Sequence, residues 1–202
     1  LVGALLLFGI RQAGRNSALS AATNFAILTL KPHFGILVPP LLLAFGRWRI
    51  IALTILVLVP LVILPGLIFG WSAWEVWLTS TLPFQSSLID HQNASMAYLS
   101  MMPTAERFTA MLGLSKWPAL IVQILFATMA IFTLYRAWAR KVDLPTLGLL
   151  SLIAVFLILP YAFNYDMVAY SLAIIVLAAR HAKQLSDVDR ALLAGAFLVP
   201  II

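Results

Sequence analysis

Residues 50–69 contain no charged side chain. As an α-helix rising about 1.5 Å per residue, such a run crosses a bilayer hydrocarbon core about 30 Å thick. The rest of the chain has the same character. Hydrophobic residues make up 63% of the 202 residues, charged residues 10%, and the mean hydropathy is +1.03. A water-soluble domain is closer to half apolar and a quarter charged. No segment sustains the apolar/polar alternation of a membrane β-barrel strand. The composition therefore implies an all-α fold, a polytopic transmembrane helix bundle.

The net charge of +6 does not point to nucleic acid, because the basic residues sit at helix ends instead of gathering on one polar surface. The chain has no cysteine, which excludes disulfides, thiolate metal sites and cysteine nucleophiles. It opens with Leu1 and runs apolar through Ile10, with no basic leader or cleavage site, so this stretch reads as the tail of a severed helix and not as a signal peptide. Residues 191–202 end inside another apolar run. The expectation is a single transmembrane domain over residues 1–202, cut at both ends.

Apolar stretches occupy residues 18–30, 34–45, 50–69, 117–137, 144–161 and 167–179. A long mixed region, residues 71–116, separates the third from the fourth and reads as an extracytoplasmic loop. Residues 18–45 cross the membrane once or form a hairpin with its tip at Lys31-Pro32-His33. Charge decides between the two. With a hairpin, Arg11, Arg15, Arg47, Arg49, Arg136, Arg140, Lys141, Arg180, Lys183 and Arg190 share the cytoplasmic side, and Lys31, Arg107 and Lys116 lie outside. A single crossing moves most of the first group outside, against the positive-inside rule. Each hairpin arm is then about 20 Å long, too short for a full core, so the tip lies below the outer surface, in protein or a water-filled cavity.

That placement singles out Lys31. A lysine at membrane depth is costly and faces a cavity, a partner or a ligand. Pro32 lets the chain turn, and His33 adds a second polar group to the same turn. A basic tip of this kind suits the phosphate of a lipid-linked substrate; the plainer alternative is a lysine snorkelling to the interface.

The run Leu30-Lys31-Pro32-His33-Phe34-Gly35, followed by Gly46-Arg47-Trp48-Arg49, resembles glycosyltransferase family 87. Pro160-Tyr161-Ala162-Phe163-Asn164-Tyr165-Asp166 before a further span resembles the same family, and residues 101–113 fit it more loosely. The resemblance covers most of the chain, as the C-terminal portion of such an enzyme. It implies the GT-C membrane fold and transfer of mannose or a related sugar from a polyprenyl phosphate to a glycan or lipid acceptor on the outer face. Lys31 and His33 would then bind the donor phosphate. The family also implies an acidic base on the first outer loop, which would precede Leu1, so residues 1–202 by themselves are expected to be inactive. No cofactor and no metal is called for.

Among the acids present, Asp166 is the best placed. It stands with Asn164 at an outer helix break, where a carboxylate orders substrate hydroxyls, pairs with Lys31 or serves as a helix N-cap. Asp90 and His91, with Gln92 and Asn93, form a polar cluster suited to sugar hydroxyls; one His beside one Asp is a weak metal site. Asn93-Ala94-Ser95 matches a glycosylation sequon, a short and weak signal. Trp71, Trp74, Trp77 and Leu78 are spaced to share one face of a helix lying in the outer interface, as an anchor or as the roof of an acceptor groove. Glu106-Arg107 reads as a solvated loop pair without a role.

The competing reading is a transporter or lipid flippase whose broken helix pair is a re-entrant gate. The long tryptophan-rich outer loop and the lack of a second broken helix favour the enzyme, and a purely structural subunit leaves Lys31 unexplained. The expected setting is the cell membrane, multi-pass, with membrane lipids as neighbours.

Overall fold

A computed structural model describes residues 1–88 and 100–199. Among these residues every regular element is helical: α1 (Val2–Gly14), α2 (Ala18–Leu28), α3 (Val38–Ala44), α4 (Trp48–Phe69), α5 (Ser72–Val76), α6 (Leu82–Leu88), α7 (Ala105–Met111), α8 (Lys116–Ala139), α9 (Leu144–Ile158), α10 (Val168–His181) and α11 (Asp187–Leu198). Two 3-10 turns, Pro32–Gly35 and Asn164–Asp166, interrupt this series.

The core is built by α1, α2, α9 and α10, with Phe34 from the first 3-10 turn inserted among them. Two glycines bring the helices together. A Cβ on Gly3 would lie 2.8 Å from the Ala169 Cα, and one on Gly148 would lie 2.5 Å from the Ile10 side chain. Small residues at crossings allow backbones to approach closely, which is how apolar helices gain contact when no water drives them together. These contacts also fix direction: the start of α1 meets the start of α10, and its end, at Gly14, meets Pro145 at the start of α9.

One pole of the bundle is basic. The chain leaves this pole at Asn16, ascends α2, turns at residues 29–37, and returns along α3 to Arg47, whose guanidinium donates to the Asn16 side-chain oxygen. Residues 18–45 therefore fold as a hairpin, and its second arm is itself divided into a 3-10 turn and a seven-residue α-helix. Pro32, Pro39 and Pro40 account for the division, since none can donate a backbone bond. Three helices close at this pole in the same way. Asn16, Gly46 and Lys141 take positive φ, and the next residue's N–H reaches back to Gln12, Leu42 and Ala137 respectively. This is the Schellman closure of otherwise unpaired carbonyls. Arg180 of α10 donates to Asp143 and, at 3.0 Å, to the Thr146 hydroxyl, bringing a further basic residue to this pole.

α4 and α8 are long and apolar enough to cross a membrane, and little of either is buried. Leu56 and Leu67 stand 65% and 67% exposed, the reverse of a helix at the centre of a water-soluble core. Beyond α4 the tryptophan segment is not one continuous α-helix. A π turn, Trp77–Thr81, divides it. Trp71 packs on Gly66, and the Trp74 indole donates to the Val62 carbonyl at 3.1 Å, one turn from Pro65 inside α4. Trp71 and Trp74 thus turn back onto α4, while Leu78 remains exposed.

At the other end of the sequence, Asp187–Arg190 form the first turn of α11. Ser186 and Asp189 make a reciprocal capping box, and the spacing Ser-x-x-Asp was its signal in the sequence.

Candidate functional site

The pole opposite the basic one is assembled from two helix breaks. At the first, α2 ends at Leu28, and the N–H groups of Thr29, Leu30 and Lys31 bond three residues back, tightening the chain into a turn. Pro32 then opens a 3-10 turn, since its fixed φ and missing N–H suit a first helical position. Phe34 anchors the turn. It is 1% exposed and lies 5.3 Å from the Phe156 ring, which in turn lies 5.8 Å from Tyr170. Burial of one such aromatic contributes about 1.5–3 kcal/mol.

The second break follows α9. Pro160 cannot continue a helix, and residues 159–163 run without regular structure, bending at Pro160, into the turn Asn164–Asp166. The two breaks meet at a single ion pair. The Lys31 ammonium lies 2.7 Å and 3.0 Å from the two Asp166 carboxylate oxygens. It also sits 4.7 Å above the Tyr165 ring, and Tyr165 is stacked on Phe163 at 5.2 Å. The Asp166 side chain is 6% exposed and that of Lys31 36%. Asp166 is thus the buried member of the pair, and Lys31 the more exposed one.

His33 is half-buried, with its ring 4.4 Å from Phe34 and 5.4 Å from Tyr161 and within electrostatic reach of both Lys31 and Asp166. Asn164 is exposed; its backbone N–H donates to the Met101 carbonyl at 2.8 Å. Of the roles considered for Asp166, the geometry is that of the Lys31 partner. The residue preceding α10 is Met167, and Asp166 makes no side-chain cap there. Asp90, His91 and the Asn93-Ala94-Ser95 sequon lie outside the described residues.

Sequence reasoning passed over the residues that hold this pole in place. Glu106 and Arg107, expected in solvent, form a buried ion pair at 2.8 Å, with side chains 9% and 5% exposed. Helix α7 folds their segment onto α8, where Gln123 is buried as well. Gln123 had a signal in the sequence, as a polar amide within the apolar run 117–137, where an unpaired polar group is costly. Glu106-Arg107 had none, because a charged pair in a mixed region is ordinarily solvated.

The sequence profile of glycosyltransferase family 87 matches residues 1–160. The matched span contains the Lys31 turn and the Gly46-Arg47-Trp48-Arg49 segment, and it ends at Pro160, ahead of Asp166. No curated protein and no solved structure matches the chain. A match over most of the 202 residues settles the family: this chain belongs to glycosyltransferase family 87.

Proposed function

We propose that this glycosyltransferase takes its sugar, mannose or a close relative, from a polyprenyl phosphate and passes it to a glycan or lipid acceptor at the outer face of the cell membrane. The observation that carries the reading is the Lys31 ammonium, held by buried Asp166 at the break between two short helices. A cation held by a buried carboxylate, on a side chain that is itself about a third exposed, suits a phosphate. The phosphate is also the leaving group. As the bond between the anomeric carbon and the phosphate oxygen breaks, the acceptor hydroxyl oxygen bonds to that carbon, its proton passes to a base, and charge grows on the departing polyprenyl phosphate. Lys31 would stabilise that charge where water screens it little. Asp166 is poorly placed to take the proton, since it is buried with both oxygens on Lys31.

Two features support a multi-pass membrane setting. The exposed faces of α4 and α8 are apolar over lengths that match a bilayer, and the basic residues gather at the opposite pole from Lys31. The basic pole would be cytoplasmic, with residues 71–116 outside and the tryptophans at the interface.

Donor choice tests the activity directly. Radiolabelled polyprenyl-phosphate-mannose should give transfer to membrane acceptors, and GDP-mannose should give none once the synthesis of lipid-linked mannose is blocked. Efficient transfer from the nucleotide sugar under that block would overturn the donor assignment. Topology is tested separately. Because the chain has no native cysteine, Ser87→Cys and Lys141→Cys can be introduced singly. An impermeant thiol reagent on intact cells should label the first and spare the second; the opposite pattern would invert the orientation and remove Lys31 from the outer face.

A further inference from the structure

Gln123 stands inside apolar α8 and is 4% exposed. Its Nε2 donates to the carbonyls of Leu157, Ile158 and Leu159 at 2.8, 3.2 and 3.2 Å, and its Oε1 accepts the Glu106 backbone N–H at 3.2 Å. One donor and three acceptors around the amide allow only one orientation of its oxygen and nitrogen. The need for it comes from the end of α9: the chain leaves the helix at Leu159, ahead of Pro160, so the carbonyls of Leu157, Ile158 and Leu159 have no helical N–H to accept from. Two further bonds hold the chain beyond. The Thr104 hydroxyl donates to the Pro160 carbonyl at 2.8 Å, and the Asn164 N–H donates to the Met101 carbonyl at 2.8 Å. The segment between α9 and Asp166 is therefore braced at its start and at Asn164 against residues 101–106 and α8.

We infer that Gln123, together with Thr104, is a positioning residue for the Lys31–Asp166 pair, setting the ammonium for the donor phosphate without touching the donor. The inference rests on the reading of Lys31 as the phosphate ligand. The competing account is that Gln123 caps α9 and contributes to stability alone. The two differ in what they do to donor affinity. A cap that only stabilises changes how many molecules are folded, and so the number of binding sites. A positioning residue changes the affinity of each site.

Equilibrium binding of radiolabelled polyprenyl-phosphate-mannose to the detergent-solubilised enzyme separates these quantities. Gln123→Leu should raise the donor Kd about tenfold at unchanged stoichiometry. In an Asp166→Asn background the same substitution should add almost nothing, because residues acting through one group are not additive. Thr104→Val should follow Gln123→Leu, and Thr104→Ser, which keeps the donor hydroxyl, should bind as the wild type does. The Thr104 variants carry the test if Gln123→Leu does not fold. Fewer sites with an unchanged Kd, or a full tenfold rise on top of Asp166→Asn, would overturn the inference. Lys31→Met binding the donor as the wild type does would overturn the donor site itself. Loss of binding in Lys31→Met beside a normal Kd in Gln123→Leu and Thr104→Val would overturn the positioning role alone.

Discussion

Lys31→Met should lower sugar transfer by at least about a hundredfold, the scale on which one preorganised group facing a charged transition state acts. The single substitution also leaves the Asp166 carboxylate buried without its ammonium. Some stability should go with it, because an unpaired buried charge is costly. The double variant Lys31→Met/Asp166→Asn separates the two losses. It removes both charges and keeps the shapes, so its melting temperature should recover toward wild type while transfer stays low. Lys31→Arg should rescue part of the activity, since the guanidinium keeps the charge but is wider and directed differently. A stable double variant with wild-type transfer would reduce the pair to a structural clasp. The donor site would then have to lie elsewhere.

The second large effect is expected at Arg107. Its side chain and that of Glu106 are nearly out of solvent, and the backbone N–H groups of the two residues donate to the buried Thr104 and Gln123 side chains. Arg107→Leu removes the guanidinium from beside the buried Glu106 carboxylate, and breaking a buried pair from one side costs about 3–5 kcal/mol. For a chain of this size that is a fall of roughly 10 °C in melting temperature, readable by thermal unfolding in detergent. Replacing both residues by leucine should restore much of the loss, because two desolvation penalties disappear together. An unchanged melting temperature in Arg107→Leu would mean that the pair is solvated after all. The prediction is also a test of how α7 is held, since its seven residues bury few other groups.

The hairpin and the importance of Lys31 were legible in the sequence, for different reasons. Positive charges collect on one side of a bilayer, so the arginines flanking residues 18–45 were enough to fold that segment back on itself. Lys31 stood out because a lysine within apolar sequence must find a partner. The identity of that partner was open: Asp166 is distant in sequence, and its position after Pro160 served a helix cap equally well. Helix boundaries were legible where a proline or a polar residue interrupts an apolar run, and blurred in residues 71–88, where a π turn has no signature in composition.

What the sequence determined by itself is the set of apolar helices, the sidedness of their charged ends and the isolation of one lysine. Each follows from hydropathy, charge and proline, which act locally along the chain. Burial of the Glu106–Arg107 pair, the hold of Gln123 on the end of α9 and the choice of Asp166 for Lys31 were decided by the tertiary structure. They depend on which helix ends meet in space, and the approach of α1 to α9 and α10 through Gly3 and Gly148 sets that meeting. A buried polar group is stable only when packing delivers its partner, so its environment can be read only once the helices have docked.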